Sequence, residues 1–132
     1  MGKPIFEDMF SFSGRRNRMS YFLYSLAILI VPLFVVFVGG MLLGGLGVMF
    51  ESLVDTGGIF FVVVFLPLFV ILFAIAVSSI AVQTQRVRDF GWSGWTVLIT
   101  LIPYVGWLFS LAILLVPGTE GENRYGPSPK EL

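Results

Sequence analysis

Three long runs of apolar residues carry most of the hydrophobicity of this chain, and no charge falls inside any of them. They extend from Met19 to Phe50, from Gly57 to Thr84 and from Gly91 to Gly118. A bilayer core about 30 Å thick is crossed by about 20 apolar residues in helix. Helices of that length in water keep charges on one face. The pattern therefore predicts an all-α membrane protein with three transmembrane helices, near residues 21–43, 59–82 and 94–116. The first run is too long for one upright helix: either the helix tilts, or it ends near the glycines at 39, 40, 44, 45 and 47, which is the preferred reading. Gly40 and Gly44 have the small-xxx-small spacing that lets two helices pack closely. Pro32 and Pro67 kink the first two helices and call for no functional reading, since membrane helices tolerate proline. Pro103 and Gly106 interrupt the third run. A kinked spanning helix is the preferred reading there, and a re-entrant hairpin turning at that pair is its rival.

Before the first run, Ile5, Phe6, Met9, Phe10 and Phe12 alternate with Glu7, Asp8 and Ser11. This predicts a short N-terminal helix lying in the headgroup plane. Residues 1–132 then form a single membrane domain, with an interfacial segment at 1–18 and a terminal loop at 117–132.

Composition strengthens the membrane reading. The chain is 57% hydrophobic and 12% charged, with a mean hydropathy of +0.95. Soluble domains average about 45–50% apolar and about 25% charged. A chain of 132 residues has too little interior to hide such a surplus. The formal net charge is zero, which gives no support to a nucleic-acid partner. There is no cysteine and no histidine. That excludes thiol nucleophiles, Ser-His-Asp triads and zinc sites with Cys or His ligands, and no metal or cofactor is expected. The N-terminus does not read as a secretory signal, because its first apolar run starts late and is too long.

Charge placement sets an orientation. Lys3, Arg15, Arg16 and Arg18 precede the first helix, and Arg86 and Arg88 follow the second. The connection between those helices holds only Glu51 and Asp55. By the positive-inside rule the N-terminus is cytoplasmic. Three crossings then leave the C-terminal tail outside.

The same charges are the candidate site. Gly14-Arg15-Arg16-Asn17-Arg18 sits at a helix start, and Gln85-Arg86-Val87-Arg88-Asp89-Phe90-Gly91-Trp92-Ser93-Gly94-Trp95 sits between the second and third helices. Guanidinium forks suit lipid phosphates, and Trp92 and Trp95 suit an interfacial aromatic belt. Asp89 is the acidic residue placed to pair with these arginines. Arg15, Arg16, Arg18, Arg86, Arg88, Asp89, Trp92 and Trp95 thus form an expected site for anionic lipid or a membrane partner. The plainer reading is that the cluster only locks cytoplasmic elements together. No Asp, Glu, Lys or Arg lies within a predicted helix, which argues against transport by a lone chain. Ser25, Ser78, Ser79, Thr84, Thr100 and Ser110 suit hydrogen bonds between helices.

Taken together these segments resemble the small bacterial inner-membrane proteins of domain-of-unknown-function family 805, the YhaH/YhaI type. The resemblance rests on Phe12-Ser13-Gly14-Arg15-Arg16-Asn17-Arg18-Met19-Ser20-Tyr21, the Gln85–Trp95 segment, Ile102-Pro103-Tyr104-Val105-Gly106, and Pro117-Gly118 through Pro129. Where the family's central motif has Arg and His, this chain has Gln85 and Arg88, so no proton-transfer role carries over. The resemblance implies a multi-pass inner-membrane protein and no particular activity. A structural or regulatory protein, homo-oligomeric or part of a larger complex, is the expectation; an oligomeric pore or transporter subunit is the alternative, and an enzyme is not expected.

Overall fold

The structure, a computed structural model, describes residues 4–51 and 57–129. The loop predicted around Asp55, and the basic residues Lys3 and Lys130, lie outside them. The described residues are helical with turns: α1 (Arg18–Glu51), α2 (Gly57–Asp89), a 3-10 helix (Gly94–Leu101) and α3 (Val105–Leu115). By contacts the chain divides into two units, Met1–Leu26 with Ala76–Leu132, and Ala27–Ile75.

The all-α expectation is met, and two helices are long and apolar enough to cross a membrane. Their extents differ from the prediction. α1 is 34 residues long and runs straight through the glycine cluster instead of ending near Leu43. Glycine weakens a helix through its backbone entropy and by baring the backbone to water, which competes for its hydrogen bonds. Hydrocarbon offers no such competitor, so the helix keeps its own hydrogen bonds. α2 continues to Asp89, so the charged segment from Gln85 to Asp89 is its last turn and not a loop. Gly91 then adopts φ +82 and closes the helix, with its N–H donating to the Arg88 carbonyl at 3.0 Å.

The third run is the larger correction. It does not form one helix from 94 to 116 but an eight-residue 3-10 helix and an eleven-residue α-helix packed on each other. Pro103 lacks an N–H, and Tyr104 sits at φ 63, a region that side chains rarely adopt. The helix axis breaks there. Gly106 then lets α3 lie on the 3-10 helix, since a Cβ at this position would overlap the Thr100 carbonyl. At 1.5 Å per residue α3 reaches only about 16 Å, half a bilayer core. The hairpin, not the spanning helix, describes this segment.

The N-terminal segment also differs from its prediction. Residues 5–10 form turns rather than a helix, held by Glu7 N–H to the Pro4 carbonyl and Ser11 N–H to the Asp8 carbonyl. Asp8 takes φ 50, which ends any right-handed helix at that point.

Within Ala27–Ile75 the described side chains are apolar and mostly exposed, Leu29, Phe34, Phe37, Phe69 and Phe73 each by more than 60%. None of the most apolar window of α1 is buried inside the chain. Such a surface requires an apolar surround.

Candidate functional site

The residues buried in the other unit are unusual, because polar groups dominate them. Arg15, Arg16, Asn17, Ser20, Ser78, Thr84, Gln85, Arg86 and Asp89 are all buried. A buried guanidinium is tolerated only when its donors are taken up.

Asn17 starts the construction. Its side-chain oxygen accepts from the Ser20 N–H at 2.9 Å, which caps α1 and fixes the chain immediately after Arg15 and Arg16. Arg15 then reaches Asp89, its Nε donating to Oδ1 at 3.0 Å. Its remaining N–H groups donate to the main-chain carbonyls of Thr119, Gly121 and Gly126 at 2.6, 2.6 and 3.1 Å. Arg86, one helical turn before Asp89, donates to Oδ2 at 2.6 Å. It also donates to the Ile113 carbonyl at 3.0 Å and to that of Val116, capping the C-terminal end of α3. Asp89 is therefore shared between two arginines whose side chains are 0–1% exposed. Gly118 lies against this carboxylate so closely that a Cβ would overlap Oδ2.

Arg16 has no carboxylate within ion-pair distance among the described residues. It donates to Gln85 Oε1 at 3.1 Å, Ser20 Oγ at 2.8 Å, and the carbonyls of Ile5 and Glu7 at 2.8 and 2.6 Å. Gln85 in turn donates to the carbonyls of Asp8 and Ser11 at 2.7 and 2.6 Å. Burial pulls the Arg16 guanidinium below its ordinary pKa, while Tyr24, Asp8 and Glu7 pull the other way. It keeps its proton, as arginine does in proteins.

The predicted cluster thus divides. Arg15, Arg16, Arg86 and Asp89 come together, but inward, with their polar atoms spent on the chain itself. Arg88 is half-buried; it donates to the Phe12 carbonyl and stacks 5.0 Å from the Tyr125 ring centroid. Arg18, Trp92 and Trp95 remain exposed. Arg18 makes no hydrogen bond or ion pair among the described residues. Among the described residues the exposed charges there are Glu7, Asp8, Arg18, Glu120, Glu122 and Arg124, of which four are acidic and two basic. No group of three His, Cys, Asp or Glu converges among the described residues. At Gly40 and Gly44, the expected helix-packing pair, an added Cβ would meet nothing within 4 Å.

Several members of the network carry no signal in the sequence. Gln85 reads there only as a departure from a motif, yet it fastens the N-terminal turns. Asn123 donates to the Arg88 carbonyl at 2.9 Å, and Thr119 N–H to the Asp89 carbonyl at 2.8 Å. These contacts seat the C-terminal tail beside the N-terminal segment. A single spanning helix from 94 to 116 would hold the two apart; here the third run turns back on itself, so that Thr119 meets the end of α2. Of the helix-borne hydroxyls, Ser78 bonds Tyr24 across helices at 2.5 Å and Ser110 bonds Gln83 at 3.2 Å. Ser25, Thr84 and Thr100 turn back to carbonyls three or four residues before them.

Residues 9–127 match the family model described as protein of unknown function (DUF805). The chain is 33% identical over 129 residues to the inner membrane protein YhaH of Escherichia coli K12, covering 96% of this chain and 93% of that one. It is 29% identical over 126 residues to the inner membrane protein YhaI of the same strain, covering 96% and 92%. These relatives support an inner-membrane location. No solved structure matches the chain.

Proposed function

The chain belongs to the DUF805 family, and from that premise we propose that it is a non-catalytic structural or regulatory membrane protein. In this reading Arg15, Arg16, Arg86 and Asp89 clamp the N-terminal turns, the end of α2, the hairpin and the C-terminal tail into one cap. The cap lies at the cytoplasmic headgroup level, as the arginines favour, with the N-terminal turns and the C-terminal tail both on that side. The observation that carries the proposal is the saturation of three buried guanidiniums by main-chain carbonyls and one shared carboxylate. Groups so engaged hold a shape; they are not free to bind or turn over a substrate. Contact with lipid or a partner falls to the exposed rim, with Arg18, Trp92 and Trp95 as its members from the predicted set.

Hydrogen exchange on the purified protein in detergent tests the clamp. The amides of Thr119 and Gly126, bonded to the carbonyls of Asp89 and Asn123, are expected to exchange slowly. In Arg15→Gln they are expected to exchange freely while the amides of α2 stay protected. A tail that exchanges freely in the unaltered protein, or one indifferent to Arg15→Gln, would refute the proposal.

A further inference from the structure

A cavity of about 610 Å³ opens beside the clamp, between the start of α1 and the C-terminal tail. Its volume suits a small-molecule or headgroup ligand. Met19, Phe22, Leu114 and Pro117 line one part of it. Met19 and Phe22 are three residues apart on α1 and 54% and 44% exposed, so this wall is apolar and open. Arg18, the first residue of the candidate span, and Glu120 line the other part. Both are exposed, and they form no ion pair with each other or with another described residue. Asp89 also borders the cavity, but both its oxygens are taken by Arg15 and Arg86. One site therefore offers a free guanidinium, a free carboxylate and an apolar wall.

We propose that this cavity binds a phospholipid whose headgroup carries an amine, with its phosphate on Arg18, its ammonium on Glu120 and the start of its acyl chains on Met19 and Phe22. The charge pair selects the ligand. An anionic headgroup without an amine would satisfy Arg18 but offer Glu120 no cation. A zwitterion with both groups satisfies each. The assignment rests on the reading that the cap sits at headgroup level.

Native mass spectrometry tests it, on protein exchanged into nanodiscs of equal phosphatidylethanolamine and phosphatidylglycerol. The unaltered protein is expected to retain phosphatidylethanolamine in preference. Glu120→Gln is expected to bring the two lipids close to equal retention. Arg18→Gln is expected to reduce retention of both, by about tenfold, the worth of one charge-assisted hydrogen bond. Both residues are exposed, so the variants keep the fold, and the slow exchange of the tail amides verifies this. Preference for phosphatidylglycerol, or retention indifferent to both variants, would overturn the lipid assignment while the clamp stands. Free exchange of the tail in the unaltered protein would instead remove the clamp.

Discussion

The stretch from Ala27 to Ile75 and the unit made by the rest of the chain solve opposite problems. The first holds only two of the sixteen charged residues, Glu51 and Asp55. Its described side chains face outward, and its helices are sustained by their own backbone bonds. The second gathers the other charges and buries four of them. In the first, hydrocarbon does the work of a core, and few residues are specific. In the second, each buried guanidinium described above has named acceptors, so single atoms matter. Substitutions of similar size should therefore have very different effects in the two.

The largest effect is expected at Asp89. Asp89→Ala leaves Arg15 and Arg86 buried without a counter-charge, a change that costs about 3–5 kcal/mol. Thermal unfolding in detergent should show a large drop, smaller for Asp89→Asn, which keeps an acceptor. Equal melting of Asp89→Ala and the unaltered protein would erase the distinction between the regions. Next comes Gly106→Ala, whose Cβ must displace the Thr100 main chain. Overpacking of this kind costs about 1–3 kcal/mol, read in the same melt. The smallest effect is expected in the apolar stretch, for Gly40→Ala and Gly44→Ala. With open space around both positions, the added methyls should leave the melt unchanged or raise it, by about 0.5–1 kcal/mol each at most. A fall in stability together with loss of an oligomer mass would show that α1 packs closely on a second copy, and would make the apolar stretch specific too.

Much of this contrast is legible in the sequence. Uncharged length announces the two long helices, because only lipid tolerates such runs. The identity of the clamp residues is legible as well, since Arg15, Arg16, Arg86 and Asp89 stand out as charges at helix ends. Their direction is not. A charge count cannot tell a guanidinium that faces phosphate from one that caps carbonyls at Ile113 and Val116, for those acceptors belong to a helix whose course hydropathy misplaces. The error has one source, the third run. Hydropathy treats residues 94–116 as continuous, whereas the break depends on a missing N–H at Pro103 and a tight turn at Tyr104, where the Val105 N–H donates to the Pro103 carbonyl. Once that run turns back, the tail lands beside Arg15. The glycine cluster misleads for a related reason: part of the helix penalty measured in water is lost where no water competes for the backbone.

The absence of cysteine makes the central claim directly testable, because any introduced thiol is unique. Ser13→Cys and Ser128→Cys, both at exposed positions, would be probed separately with a membrane-impermeant maleimide. The expected result is no labelling of either in intact spheroplasts and labelling of both after permeabilisation. Labelling of Ser128→Cys from outside, with Ser13→Cys protected, would mean that the third run crosses the bilayer and that no clamp joins the two ends.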